Sequence, residues 1–203
     1  MAVELRKGQK VNLRKKRSEA LGEILINLNW SQPQPKKSGF LSGLFGGGSN
    51  AIDLDLGCLY ELKDGSKGVV QALGNAFGSL NAPPYIALDG DDRSGANSEG
   101  ENLRVNGAHA RDFKRILIYT FIYEGAANWQ EAKGVVTLKY PGGDDIIVHM
   151  DEYGSNDRMC AIAMLENYAD ETFSVEKLVR FFDGHKSLDR EYGWGMHWVA
   201  GHK

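Results

Sequence analysis

No stretch of this chain approaches the ~20 consecutive apolar residues that a membrane-spanning helix needs, so nothing in it reads as a span. Cysteine is nearly absent. The two present, Cys58 and Cys160, sit in apolar alternating stretches and read as buried thiols, not as a disulfide framework or a Cys-x-x-Cys metal site. A surplus of either charge is also missing: 24 basic against 27 acidic residues leave a net charge of −3, without the basic excess of a nucleic-acid-binding domain. The N-terminus lacks the charged-then-apolar pattern of a secretory signal, and a cytoplasmic location is expected. Five histidines (His109, His149, His185, His197, His202) are scattered with no His-Glu-x-x-His spacing. Neither a phosphate-cradling Walker loop nor a nucleophile elbow is present. An enzyme is therefore not expected.

What the chain does have is glycine, 25 residues of it, scattered between short stretches of alternating hydrophobicity. Strand patterns with a period of two cover 23–30, 52–62, 67–73, 85–88, 102–105, 114–123, 134–140, 145–151, 159–167 and 194–200. In 115–123 both faces are apolar, which marks a central strand. The Gly142-Gly143-Asp144-Asp145 run between two of these patterns reads as a hairpin turn. Regularly spaced strands joined by turns predict a mainly β fold, an antiparallel β-sandwich. Its 203 residues suit a single domain, 1–203. One segment breaks the pattern: apolar residues at 175, 178, 179 and 182 after Ser174 predict a short helix in the C-terminal region, closed by Asp183-Gly184. Residues 31–50 form a Pro/Gly/Ser-rich loop carrying Phe40, Leu41, Leu44 and Phe45. The basic run from Arg6 to Arg17 reads as a solvated strand and turn, and Trp194 and Trp198 as core packing.

The chemistry concentrates in 88–102. Five carboxylates (Asp89, Asp91, Asp92, Glu99, Glu101) crowd among glycines and small polar residues with one cation, Arg93. Carboxylates this close repel unless a cation or solvent intervenes. Oxygen donors on a glycine-rich loop suit a hard cation such as Ca²⁺. It is no EF-hand, because a frame from Asp89 puts Ser94 at the obligatory glycine and Gly100 at the bidentate glutamate. A second acidic pair stands in the strand pattern of 52–62. There Ile52, Leu54, Leu56 and Cys58 alternate with Asp53 and Asp55, which share the opposite face. Asp is depleted in strands, and a cation shared with the loop would account for two of them.

These motifs together resemble the TerD family of tellurium-resistance and stress-response proteins. The resemblance rests on Asp53-Leu54-Asp55 followed by Gly90-Asp91-Asp92-Arg93-Ser94-Gly95, on the opening Leu5-Arg6-Lys7-Gly8-Gln9-Lys10-Val11-Asn12-Leu13, and on 24–30 and 111–123. The closing Gly193-Trp194-Gly195-Met196-His197-Trp198 is similar to the TerA branch of that family. Asp92 stands where the family usually has Asn, which adds charge. The resemblance implies a β-sandwich that binds one or two Ca²⁺ ions, with Asp53, Asp55, Asp91 and Asp92 as the foremost side-chain ligands; Ser94, Ser98, Glu99 and Glu101 of the acidic stretch complete the candidate set. It also implies a non-enzymatic, calcium-responsive or calcium-stabilised scaffold, with partners among other stress-response proteins, membrane-associated ones included. The alternative function is a calcium-dependent carbohydrate- or small-ligand-binding module.

Overall fold

The structure is a computed structural model that describes residues 2–14, 20–31, 52–90, 100–124, 129–150 and 154–199. The 31–50 loop beyond its first residue, and the candidate ligands Asp91, Asp92, Ser94, Ser98 and Glu99, lie outside the described residues.

Alternation dictates most of the architecture. In β3 (Glu23–Asn29) the residues Ile24, Ile26 and Leu28 are buried while Glu23 and Asn29 face outward. The same rule builds β8 (Glu101–Asn106), β10 (Val135–Lys139) and β11 (Asp145–His149), whereas β4 (Asp53–Leu62) alternates in sequence but is buried along nearly its whole length. Around them lie β1 (Ala2–Glu4), β2 (Lys10–Asn12), β5 (Lys67–Val70), β6 (Gly78–Ser79), β7 (Ile86–Leu88), β9 (Phe113–Glu124), β12 (Met159–Tyr168) and β13 (Thr172–Phe182). They form a seven-stranded sheet, ordered β1-β11-β10-β3-β8-β7-β6, and a six-stranded sheet, ordered β2-β13-β12-β9-β4-β5. This is the expected sandwich, antiparallel except where β1 runs parallel to β11. The β10–β11 hairpin turns over 140–144, as its glycines predict.

Leu54, Leu56 and Cys58 of β4, Ile116 and Ile118 of β9, and Ile24, Ile26 and Leu28 of β3 belong to the core between the sheets. Each such side chain contributes about 1.5–3 kcal/mol on full burial. Strand β9 lies between β12 and β4, the central position its two apolar faces imply. Its other face, Leu117, Tyr119 and Phe121, belongs to a second buried cluster with Leu59, Met159, Phe182, Leu188 and Trp194. The six-stranded sheet is therefore covered on both sides.

Two expectations need correction. Residues 174–182 are not a helix but part of β13, and the helix follows as α2 (His185–Tyr192), with the single-turn α1 at Trp129–Ala132. The apolar set 175, 178, 179 and 182 satisfies helical spacing because both faces of β13 are covered. Val175 and Val179 enter the core between the sheets, whereas Leu178 and Phe182 join the outer cluster. A register shift against β12 at Ala161/Ala163, with Val179 at φ +41°, further blurs the period. Helix α2 ends at Gly193, whose left-handed φ of +63° suits glycine.

Nor is the closing segment a strand through 194–199. Its form is set by Asp189, a buried carboxylate on α2. Asp189 accepts hydrogen bonds from the Gly195 N–H (2.6 Å), the Met196 N–H (2.8 Å) and the Trp198 indole (2.7 Å). Backbone donors that bind a carboxylate are withdrawn from any sheet ladder. Arg115 reinforces the wrap by lying 3.8 Å over the Trp194 ring and donating to Glu61 (2.6 Å) and to the Tyr192 carbonyl (2.8 Å).

Candidate functional sites

The acidic region is built at the start of β4. Strand β5 pairs with 58–61, so among the described residues 53–57 meet a strand on one side alone, that of β9. Here Asp55 is 0% and Asp53 6% exposed. These are not the solvent-facing polar residues that an ordinary strand end would show. Glu101 opens β8 in the opposite sheet and is also buried. Its Oε2 accepts the Leu56 N–H at 2.7 Å, tying the two sheets together.

The acidic loop leaves and re-enters the fold at fixed points. The Asp89 N–H donates to the Asn102 carbonyl at 3.0 Å, continuing the β7–β8 pairing. Arg104 donates from Nε to both oxygens of Asp89, at 2.7 and 2.8 Å, and from Nη1 to Glu23 at 2.7 Å. Asp89 thus belongs to a surface ion pair at the loop's base. Gly100 sits at φ +68°, and a Cβ there would lie 2.0 Å from the Leu28 carbonyl oxygen. Only glycine passes so close to β3, and this approach sets Glu101 beside β4.

Asp53, Asp55 and Glu101 are therefore described and buried, whereas Asp91, Asp92, Ser94, Ser98 and Glu99 lie outside the described residues. Among the described residues no three His, Cys, Asp or Glu side chains form a group able to hold a metal ion. The donor chemistry does suit Ca²⁺: every candidate is an oxygen ligand, and sulfur and imidazole are missing from the set. Both thiols are buried, and burial pushes each well above its ordinary range, away from the reactive thiolate.

A second site, which the sequence did not announce, lies over the outer face of β9. A cavity of about 490 Å³ is lined by Gln71, Leu73, Asp183, Gly184, His185, Lys186, Trp198 and Val199. At its floor Gln71 Oε1 accepts the Tyr119 hydroxyl at 2.6 Å and pairs with His185 Nε2 at 2.9 Å. The His185 ring meets Tyr119 edge-on (5.5 Å) and Phe121 (5.3 Å), and lies 4.8 Å from Trp198 at 45°. Burial lowers the His185 pKa to about 4, so the ring is neutral near pH 7. Nε2–H then donates to Gln71, and the other ring nitrogen remains an acceptor.

The architecture defines a class first: an antiparallel-rich β-sandwich with buried acids at the start of one strand, next to the root of an acidic loop. Comparison with known proteins makes this particular. The TerD domain family matches residues 1–140. The chain is 44% identical over 182 residues to tellurium resistance protein TerA from Alcaligenes sp., which covers 90% of this chain and 53% of that protein. It is 33% identical over 143 residues to tellurium resistance protein TerX from Serratia marcescens, covering 62% of this chain and 64% of TerX. The chain belongs to the TerD family and groups with its TerA branch. It spans about half the length of the TerA relative and under two thirds of TerX.

The fold has solved counterparts. One is a homologue of the telluride resistance protein TerD, SCO6318 from Streptomyces coelicolor A3(2), at TM-score 0.56 and 14% identity over 83% of this chain and 95% of that one. Another is SAV2460, a protein of unknown function, at TM-score 0.56 and 11% identity over 88% of this chain and 100% of that one. Among the described residues no helix is long and apolar enough to cross a membrane.

Proposed function

We propose that this TerD-family chain is a non-enzymatic calcium-binding protein of a tellurium-resistance or chemical-stress system, in which the ion orders the acidic loop against β4. The observation that carries this reading is the burial of Asp53 and Asp55 together at the start of β4, in the sheet region that Glu101 ties to the root of the loop. Two carboxylates on one buried face raise each other's cost of ionisation. A hard cation offsets that repulsion, and when bound it supplies positive charge and a reason for the loop oxygens to converge.

Asp53 and Asp55 would hold it from the strand, and Asp91, Asp92, Ser94, Ser98 and Glu99 from the loop. Glu101 keeps one oxygen on the Leu56 amide, so it positions the strand as well as offering a donor. An ordered loop then presents a calcium-dependent surface to partners, other stress-response proteins among them. Both the tellurium-resistance names of the relatives and the absence of a catalytic motif from the sequence support a scaffold over an enzyme.

Calorimetric titration of the chelator-stripped chain with Ca²⁺, with melting temperature followed in parallel, tests this. Saturable binding with a raised melting temperature is expected. Asp91→Asn and Asp55→Asn should each remove both effects. Unchanged affinity in Asp91→Asn would refute the site. Absence of binding by the wild-type chain would refute calcium dependence altogether.

A further inference from the structure

The cavity over β9 shares no lining residue with the acidic site, although Asp55 pairs across the sheet with Phe121, on which His185 packs. Its volume of about 490 Å³ falls within the ~300–1,000 Å³ of small-molecule sites. We propose that it binds the ring of a neutral sugar through adjacent hydroxyls, independently of calcium.

Four features converge on that ligand class. First, donors and acceptors are interleaved. Gln71 spends Oε1 on Tyr119 and His185, which leaves its amide N–H groups to donate alongside the Lys186 ammonium. Asp183 and the second nitrogen of the neutral His185 ring accept. A hydroxyl both donates and accepts, so neighbouring hydroxyls satisfy such a mixed set, whereas an oxyanion satisfies only the donors.

Second, the charges balance. Lys186 and Asp183 cancel and His185 is uncharged near pH 7, so the lining lacks the net positive charge that would concentrate an anion such as tellurite.

Third, Trp198 supplies a fixed apolar wall. Its indole N–H is held by Asp189 at 2.7 Å, so a ring laid against it meets a surface that is already ordered. Indole faces stack on the C–H face of a saturated ring and carry much of the contact area in such sites.

Fourth, Trp198 and His185 meet at 45°, which makes a corner instead of a parallel slot. Rings this close leave no gap in which a planar base could be sandwiched, so a ligand ring meets the pair from the cavity side.

The test uses the full chain in excess chelator, titrated with glucose, galactose, N-acetylglucosamine and maltose. Binding is read by saturation-transfer NMR and by tryptophan fluorescence. Saturable binding of at least one sugar in the millimolar range or tighter is expected, with transfer concentrated on the ring protons. Gln71→Ala and Trp198→Ala should weaken it about tenfold or more, equivalent to ~1.4 kcal/mol. Trp198→Phe, which keeps a ring at the wall but gives up the indole donor to Asp189, should retain part of the affinity. Asp91→Asn should bind sugar like the wild type. No binding of any of the four sugars at tens of millimolar would overturn the proposal. So would full affinity in Gln71→Ala, dependence on added Ca²⁺, or displacement of the sugar by inorganic tellurite.

Discussion

The acidic region and the β9 cavity stand on the same six-stranded sheet, yet they were assembled by opposite routes. Asp53 and Asp55 lie two residues apart on one strand, and Glu101 joins them through one hydrogen bond to Leu56. The cavity draws Gln71, Tyr119, His185 and Trp198 from four separate segments, and its roof exists only because Asp189 gathers the chain after α2. The first kind of site travels with its strand. The second survives only while the C-terminal wrap is in place, so disturbing the wrap should separate the two.

The largest separation is expected from Trp194→Ala. Trp194 is 1% exposed in the outer cluster, and deleting a buried aromatic costs about 3–5 kcal/mol. Urea denaturation should show that loss, and the surviving folded protein should bind Ca²⁺ like the wild type while losing sugar binding. If calcium affinity fell in parallel, the two regions would not be independent.

Asp189→Ala comes next. It leaves two backbone N–H groups and one indole N–H without their acceptor, for a loss of about 2–4 kcal/mol. Limited proteolysis should then cut in 194–199 at a rate the wild type does not show.

Acid sharpens the comparison without mutation. His185 titrates near 4 in the folded chain, below the usual 6.5, because burial disfavours its charged form. The unfolded chain therefore binds the proton first, so this stability is full above pH 6.5 and is lost as pH falls towards 4. It amounts to at most about 3 kcal/mol. Glu61 adds a further decline below about pH 4.5, its ordinary value. Burial acts to raise its pKa but is outweighed by Lys114 at 2.7 Å and Arg115 at 2.6 Å, which hold it below its ordinary value. A His185→Gln variant isolates the histidine part: its stability between pH 6.5 and 4 should fall less steeply than that of the wild type. Equal slopes would mean that the ring is hydrated and not buried.

The smallest effect is expected from Glu101→Gln. The amide keeps an acceptor for the Leu56 N–H but loses its charge, so stability should change by about 1 kcal/mol or less. Calcium affinity should fall more than stability does, if Glu101 also donates to the ion.

Much of the sandwich was legible in the sequence, and the reasons are local. β3 and β4 were readable because alternation over seven or more residues is hard to produce by chance, and β9 because a short run of apolar β-branched and aromatic residues marks a strand covered on both faces. β13 was misread because a strand covered on both faces loses its polar phase, and Val175, Leu178, Val179 and Phe182 fit a helix equally well. β1, β2 and β6, of two or three residues each, are too short to carry any period. Asp53 and Asp55 were found because aspartate is unusual in a strand. His185 was dismissed as one of several scattered histidines, and nothing near it in sequence marks Gln71 or Tyr119 as its neighbours.

By itself the sequence determined the β class, the family motifs and the acidic pair, because each is written within a few residues of one strand or loop. The tertiary structure alone decided that Asp53 and Asp55 are buried, that Glu101 bridges the sheets, and that a neutral histidine faces a cavity roofed by the C-terminal segment. Those properties depend on which strands become neighbours and which faces are covered, and contacts between residues dozens of positions apart leave no periodic trace along the chain.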